Sequence, residues 1–191
     1  NPFMLASAPP TTNCEMVARS FDAGWGGAVL KTMAYDLRMA RNVNPGIAAY
    51  KVGKSIHGFT NFELGSPKPI SKWLEDARWL KERFPEHAVF VSLLHTEGLV
   101  EEQWREVTRM FNDAGIDGFE LNFSCSHGMA EAGGGAQVGG NEEAIKMVTN
   151  WVRSETNLPV MPKLPAMVPN IGSKARAAEE AGADAIATIK T

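Results

Sequence analysis

Short runs rich in Val, Ile, Leu and Phe alternate along the chain with longer amphipathic stretches, and this alternation limits the possible folds more than any other feature. A short apolar run predicts a buried strand and an amphipathic stretch predicts a helix, so their alternation is typical of βα units around a parallel sheet. The six predicted strands are Phe3 to Ala8, Gly27 to Thr32, Ala88 to Leu94, Gly118 to Asn122, Pro159 to Leu164 and Asp184 to Ile189.

The predicted helices lie between these strands and are bounded by capping residues, glycine or proline. Their approximate bounds are Thr12 to Ala23, Ser71 to Phe84, Val100 to Ala114, Asn141 to Thr156 and Asn170 to Gly182. The predicted N-caps are Thr11 or Thr12, Ser71, Asn141, and Asn170 or Gly172. The segment from Met33 to Ile70 is dotted with Asn, Gly and Pro and is predicted to be irregular. A loop of more than about 15 residues in a compact domain is usually functional or disordered.

Polar or ionisable residues follow nearly every predicted strand. They are Ser7, Lys31 with Thr32, His95, Asn122 with Cys125, Lys163, and Lys190 with Thr191. In a (β/α)8 barrel these strand ends converge on one mouth. A doubly wound dinucleotide fold would instead need a Gly-x-Gly-x-x-Gly turn after the first strand, where this chain has Ala8-Pro9-Pro10-Thr11. The prediction is therefore an α/β fold, a (β/α)8 TIM barrel that is incomplete because about six of its eight βα units are present, with the missing strands C-terminal or the seam covered by a partner.

The composition is that of an ordinary globular chain of 191 residues, 44% hydrophobic and 21% charged, so one domain over residues 1–191 is predicted. A net charge of −3 without runs of like charge gives no reason to expect nucleic acid or an anionic membrane as a partner. The apolar runs are much shorter than the roughly 18 residues of a spanning helix, and Asn1-Pro2-Phe3 lacks the basic start of a secretory signal, so a cytoplasmic location is predicted. Two cysteines make no disulfide framework, and no Cys or His pair has zinc-ligand spacing, so no metal site is predicted.

Cys125 is the strongest catalytic candidate. It follows the apolar run Phe119 to Phe123 and is surrounded by serines, a histidine and glycines, so it is predicted to lie at the polar mouth. A thiol there could act by acid/base transfer or by nucleophilic attack, because the site can tune its protonation. The other cysteine, Cys14, falls in the first predicted helix and is predicted to be a small buried hydrophobic residue.

Two lysines occur within otherwise apolar strands, where a lysine needs an anionic partner or a functional reason. They are Lys163, within Val160 to Leu164, and Lys31, within Val29 to Thr32. The glycines from Gly133 to Gly140 predict a mobile loop over the mouth. The histidines are predicted to be surface, structural or loop-orienting residues: His57, His87, His95 and His127.

The segment Asn122-Phe123-Ser124-Cys125-Ser126-His127-Gly128-Met129 resembles the Asn-Leu-Ser-Cys-Pro-His-Gly-Met loop of dihydropyrimidine dehydrogenases, in their FMN-binding barrel domain or separate bacterial subunit. Other segments agree in order along essentially the whole chain: Asn1 to Ala8, Ala23 to Gly26, Lys31-Thr32, Asn61 to Leu64, Trp151 to Arg153, Lys163-Leu164 and Gly182 to Asp184. Together they are similar to the dihydroorotate/dihydropyrimidine dehydrogenase superfamily.

The resemblance implies a role for each matching residue. Cys125 would exchange a proton with the pyrimidine C5 while hydride passes between C6 and flavin N5. The substrate-binding residues would be Asn61, Asn122, Lys190 and Thr191. The residues that contact FMN would be Ser7, Lys31, Thr32, Ser124 and Lys163. Lys163 would lie near the flavin N1/O2 edge, where a cation stabilises the reduced, anionic flavin.

The resemblance also implies partners. Electrons would reach FMN from NAD(P)H through FAD and iron-sulfur clusters, and an oligomer is expected. The chain has no cluster-binding cysteines, so these groups are expected on a partner subunit or on further sequence. The family's flavin-phosphate site lies largely on the last two barrel strands, beyond the six predicted here.

Two departures from the family pattern leave the substrate and the reaction open. Lys190-Thr191 stands where the family has Asn-Thr, and Ser126 replaces the loop proline. A donor-only cation at position 190 would suit a carboxylate-bearing substrate, as in a dihydroorotate-dehydrogenase-like enzyme. The residues also allow a Schiff-base lyase that uses Lys163, or a non-catalytic barrel subunit.

Overall fold

The computed structural model describes residues 1–35, 46–61, 65–95, 99–125 and 133–188. The elements in chain order are β1 (Met4–Leu5), α1 (Cys14–Asp22), β2 (Gly27–Ala34), β3 (Ile47–Val52), β4 (Ser55–Asn61), α2 (Ile70–Arg83), β5 (Ala88–Leu94), α3 (Glu101–Asn112), β6 (Gly118–Asn122), α4 (Ala136–Gly140), α5 (Glu142–Arg153), β7 (Val160–Lys163) and α6 (Ile171–Glu180). A short 3-10 turn, Pro9–Thr11, lies between β1 and α1.

Five strands form one parallel sheet in the order β1-β2-β5-β6-β7. A helix follows β1, β5, β6 and β7, and α2 precedes β5, which is the pattern of successive βα units. The sheet curls into part of a barrel, so the predicted incomplete (β/α)8 fold is confirmed.

The apolar core lies between the sheet and the helices that cover it. On α2 the buried side chains are Trp73, Leu74, Ala77 and Leu80, the apolar stripe of one helical face. Trp104 and Phe111 of α3 are also fully buried and belong to the same cluster as Phe119 of β6. This packing holds the sheet rigid and fixes where the carboxyl ends of its strands lie.

Two of the predicted helix caps are wrong. The cap of α1 is Asn13, whose side chain accepts from the amide of Met16 at 2.9 Å, while the hydroxyls of Thr11 and Thr12 donate to carbonyls of the preceding 3-10 turn. Pro69, not Ser71, precedes α2. Asn141 and Asn170 are confirmed as caps of α5 and α6, since each side chain accepts a backbone amide of the first turn.

The prediction of an irregular segment from 33 to 70 is wrong in part, because β3 and β4 form an antiparallel hairpin within it. Both strands are mostly exposed, so they lack the one-sided apolar alternation that signals a strand. The first predicted strand shrinks to two residues, and the predicted sixth appears as a single parallel bridge between Ala187 and Lys163. The predicted mobile glycine loop contains the short helix α4, and residues 126–132 lie outside the described part.

Within the part of the chain that the structure describes, no helix is long and apolar enough to cross a membrane.

Candidate active site

A cavity of about 500 Å³ opens at the carboxyl ends of the parallel strands. Its volume falls in the range of small-molecule sites. The polar residues that line it are Ser7, Lys31, Thr32, Asn61, Glu120, Asn122, Cys125, Lys163 and Thr188. The structure thus brings together seven of the residues predicted for the site, from parts of the chain that are distant in sequence.

The remaining predicted residues stand apart from this lining. Ser124 is buried, and its hydroxyl donates to Asn122 Oδ1 at 2.9 Å, so it supports the cavity wall. Lys190 and Thr191 lie outside the described residues, as do Ser126 and His127 of the cysteine loop.

An irregularity in β2 explains why two consecutive residues, Lys31 and Thr32, both line the cavity. The register between β2 and β5 shifts between Leu30 and Met33. Successive side chains of a regular strand point to opposite faces, and a bulge re-aims them. The shift therefore brings an ammonium group and a hydroxyl to the same wall.

Thr32 is the centre of a hydrogen-bonded network. Its Oγ1 lies 3.0 Å from Ser7 Oγ and 2.9 Å from Ser92 Oγ, and it accepts from Asn122 Nδ2 at 3.0 Å. Ser92 donates its hydroxyl hydrogen to Glu120 Oε1 at 2.7 Å, because a carboxylate only accepts. Ser92 must then accept from Thr32, which leaves Thr32 to accept from Ser7.

The hydroxyl groups of the network therefore all donate in the same direction along the chain of hydrogen bonds. Hydroxyl hydrogens point from Ser7 through Thr32 and Ser92 to Glu120, and Lys163 Nζ donates to the same Glu120 Oε1 at 2.9 Å. Hydrogen-bonded networks of this kind fix the positions of their members.

Glu120 and Ser92 were not predicted as site residues, although Glu120 carried a signal. It is a carboxylate inside the buried strand β6, two residues before Asn122 and therefore on the same face. A buried carboxylate needs a partner. Ser92 carried no such signal, because a serine in an apolar strand is common and its partners come from two other strands.

The Cys125 thiol lies in the wall of the cavity, with the residue only 2% exposed and packed against Leu94. Its loop is held from both sides. Asn122 Oδ1 accepts from the amide of Ser124 at 3.1 Å, and the Cys125 carbonyl accepts from the amide of Ala136 at 2.8 Å. The thiol is thus held at a defined place in a cavity that the two lysines and Asn122 also line.

Cys14 lies in a different part of the fold from Cys125. It begins α1, away from the cavity, and packs against the core. Burial and then the neighbouring Asp76 carboxylate raise the pKa of the Cys14 thiol to about 12. A thiol in that state is a poor nucleophile at neutral pH. Cys14 therefore packs against the core as predicted, although it is partly rather than fully buried.

His95 is part of an aromatic cluster beneath the cysteine loop. Its ring stacks on Tyr35 at 5.2 Å and contacts Trp104 at 4.3 Å between centroids, and Trp104 contacts Phe123 at 6.3 Å. Burial lowers the pKa of His95 to about 4, so the imidazole is neutral near pH 7. A buried neutral histidine agrees with the predicted structural role.

Among the residues that the structure describes, no three His, Cys, Asp or Glu side chains are grouped as metal ligands.

The fold and the site together define a barrel with an enzyme-like polar mouth. Comparisons with known proteins show which proteins this barrel is similar to. The chain is 32% identical over 197 residues to the chloroplastic dihydropyrimidine dehydrogenase (NADP(+)) of Arabidopsis thaliana, covering 100% of this chain and 46% of that protein. It is 37% identical over 199 residues to the NAD-dependent dihydropyrimidine dehydrogenase subunit PreA of Escherichia coli strain K12, covering 100% of this chain and 45% of that subunit.

A third relative is the catalytic subunit of dihydroorotate dehydrogenase B (NAD(+)) from Pyrococcus abyssi, 32% identical over 192 residues, with 100% of this chain and 58% of that subunit covered. Among solved structures, the dihydroorotate dehydrogenase of Eimeria tenella in complex with ferulenol matches with a TM-score of 0.76 at 14% identity, which covers 97% of this chain and 55% of that one and supports the fold alone. No family model matches the chain.

The resemblance seen in the sequence is therefore confirmed, because the whole chain is similar to members of the dihydroorotate dehydrogenase-like superfamily. It spans about half the length of the dihydropyrimidine dehydrogenases that it matches.

Proposed function

We propose that this chain forms the substrate-reducing barrel of an FMN-dependent dihydropyrimidine dehydrogenase, which reduces the 5,6-double bond of uracil or thymine with Cys125 as the general acid. The observation that carries the proposal is the placement of the Cys125 thiol in the same 500 Å³ cavity as Lys163, Thr32 and Asn122. The names of the dihydropyrimidine dehydrogenase relatives support it.

The residues of the cavity fit a flavin. An isoalloxazine ring needs hydrogen-bond partners along its polar edge, and its reduced form carries negative charge at that edge. The cavity offers the ammonium groups of Lys31 and Lys163, the Ser7 hydroxyl oxygen, the side chain of Thr32 as a contact whose hydroxyl is already engaged in the network, and an apolar wall that includes Leu5, Val29 and Met161. These groups would hold the flavin, with Lys163 at the N1/O2 edge.

Reduction of the double bond requires two electrons and two protons. Bound FMN would supply a hydride from N5 to C6, and would be reduced again by NAD(P)H through FAD and iron-sulfur clusters on a partner or on further sequence. Cys125 would donate the thiol proton to C5 and then recover one from solvent. Asn61 and Asn122 would orient the ring by hydrogen bonds to its imide and ring nitrogens, joined by Lys190 and Thr191.

The partner subunit, the oligomeric state and the cytoplasmic location stay predictions. A Schiff-base lyase is disfavoured, because Lys163 Nζ donates to Glu120 Oε1 at 2.9 Å, whereas a Schiff base requires the lysine nitrogen to attack a substrate carbonyl.

The proposal is tested with protein expressed from the complete gene. Flavin absorbance should be present, and anaerobic dihydrouracil should bleach it whereas dihydroorotate should not. A colourless protein that stays colourless with added FMN would contradict the proposal and favour a non-catalytic barrel.

The two cysteines provide a matched pair of variants. Cys125→Ala should lower uracil reduction by 10²-fold or more, the usual loss when a general acid is removed. Cys14→Ala should leave turnover near the wild-type rate, because Cys14 lies away from the cavity. Turnover of Cys125→Ala at the wild-type rate would exclude the mechanism.

A dihydroorotate-dehydrogenase-like activity is the second candidate. Lys190 favours it, because an ammonium can pair with the carboxylate of orotate where the related enzymes carry an amide. Bleaching by dihydroorotate, with a preference that Lys190→Asn reverses in favour of dihydrouracil, would establish this second function.

A further inference from the structure

We infer that Glu120 is a positioning residue that holds Lys163 and sets the net charge of the cavity wall, and thereby the reduction potential of the bound flavin. The inference rests on the proposed function, because it concerns the flavin site.

The first observation is the geometry of the pair. Glu120 Oε1 accepts from Lys163 Nζ at 2.9 Å and from Ser92 Oγ at 2.7 Å, and the two ionic side chains are only 4% and 13% exposed. Two donors thus converge on one carboxylate oxygen, and this oxygen holds the ammonium group in the position observed. The position of Lys163 is therefore set by Glu120 and, through Ser92, by the Thr32 network.

The second observation is the charge of the wall. The charged side chains in the described lining are two ammonium groups, Lys31 and Lys163, and one carboxylate, Glu120. In a cavity with a low local dielectric, the interaction between a charged side chain of the wall and a bound ligand is only weakly screened. Glu120 therefore offsets part of the positive charge that would otherwise favour the reduced, anionic flavin.

The role of Glu120 is distinct from that of Lys163. A lysine alone would raise the reduction potential of the flavin, because its positive charge favours the reduced, anionic form. A lysine paired with a carboxylate keeps its hydrogen bonds but presents less positive charge. The pair thus presents an ammonium group in a fixed position, with part of its positive charge offset by the Glu120 carboxylate.

The test is the two-electron reduction potential of FMN in the protein from the complete gene. Glu120→Gln keeps an oxygen that can accept from Lys163 and Ser92 but removes the charge. It should raise the equilibrium constant for flavin reduction at least tenfold, which corresponds to about 30 mV. Lys163→Met should shift the potential in the opposite direction, and Glu120→Asp, which keeps the charge, should stay within threefold of wild type.

A second comparison covers the case in which Glu120→Gln fails to fold because it buries an unpaired ammonium. The double variant Glu120→Gln/Lys163→Met buries no unpaired charge, and its potential should lie above that of Lys163→Met alone. A purely structural role would weaken FMN binding in these variants without opposite shifts of potential.

The outcomes separate the two proposals. If FMN binds and uracil is reduced, but removing the Glu120 charge leaves the potential unchanged or lowers it in both backgrounds, the inference about Glu120 is overturned and the proposed function stands. If the wild-type protein takes up no FMN, both are overturned.

Discussion

Asn122 donates from its side-chain nitrogen to the hydroxyl of Thr32 over 3.0 Å, although the two residues lie 90 positions apart in the chain. The same Asn122 accepts two hydrogen bonds from Ser124 through its other side-chain atom. One amide therefore connects the strand that carries Thr32 to the loop that carries the candidate acid, Cys125. The position of the Cys125 thiol relative to a ligand that contacts Thr32 therefore depends on Asn122.

Replacing Thr32 with Val should destabilise the protein. Valine has nearly the same shape but removes the hydrogen bond that Ser92 accepts and the acceptor of the Asn122 side-chain nitrogen, both in a buried setting. We expect the free energy of unfolding to fall by about 2 to 4 kcal/mol, measured by urea denaturation.

Thr108→Val is the matched control for Thr32→Val. Thr108 is equally buried, but its hydroxyl only donates to the Trp104 carbonyl of its own helix, so its replacement should cost about 1 kcal/mol or less. Equal losses in the two variants would mean that the network around Thr32 adds nothing beyond one ordinary hydrogen bond.

The sequence predicted the parts of the site that follow from strand ends. Cys125, Asn122 and Lys163 each close an apolar run, and parallel strands bring such residues to one edge whatever the details of packing. The same logic predicted the curled sheet and the apolar stripe of α2.

Other features depended on contacts between distant segments. The Ser92 hydroxyl becomes part of the site only through its hydrogen bonds to Thr32 and Glu120 on the neighbouring strands. The β3–β4 hairpin was missed because both its strands are mostly exposed, so no apolar alternation marks them. The Thr11 and Thr12 hydroxyls form the turn before α1, and sequence alone could not choose between that turn and the helix cap at Asn13.

Gly135→Ala should displace the Cys125 loop. The backbone φ of Gly135 is +52°, and a Cβ there would lie 2.2 Å from the Cys125 carbonyl oxygen, which is closer than real contacts allow. A displacement of about 1 Å in a catalytic group can cost roughly 10²-fold in rate, so uracil reduction should fall by that order.

Gly115→Ala isolates the effect of backbone strain from that of the clash. Gly115 has a φ of +75°, but nothing lies within 4 Å of its added Cβ. It should lose about 1 to 2 kcal/mol of stability from the left-handed backbone alone and keep its turnover rate. If both variants lost activity to the same extent, the close approach of Gly135 to Cys125 would not be what positions the thiol.

Cys14 should resist alkylation in the folded protein. With a pKa of about 12, raised first by burial and then by Asp76, its thiolate fraction at pH 8 is on the order of 10⁻⁴. In a Cys125→Ala background, iodoacetamide at pH 8 should modify Cys14 at least 10²-fold more slowly in the native protein than in urea, as followed by peptide mass spectrometry. Similar rates in the two states would show that the thiol is accessible and ordinary.

The stability of the fold should fall in mildly acidic solution because of His95. Burial lowers its folded-state pKa to about 4, whereas an unfolded histidine titrates near 6.5. The unfolded chain therefore binds the proton first, so the contribution of His95 is fully present above pH 6.5 and is lost progressively as the pH falls to about 4. Linkage gives a slope of about 1.4 kcal/mol per pH unit and a total of roughly 3 kcal/mol.

The measurement is the free energy of unfolding in urea between pH 4 and pH 7, compared with His95→Phe, which keeps an aromatic ring between Tyr35 and Trp104 but cannot titrate. His57→Phe is the control, because His57 is an exposed residue of the β3–β4 hairpin. The His95→Phe protein should lose most of the acid sensitivity between pH 4 and pH 6.5, and the His57→Phe protein should retain it. A pH profile that His95→Phe leaves unchanged would mean that the buried imidazole takes up its proton in the folded protein as readily as in the unfolded chain.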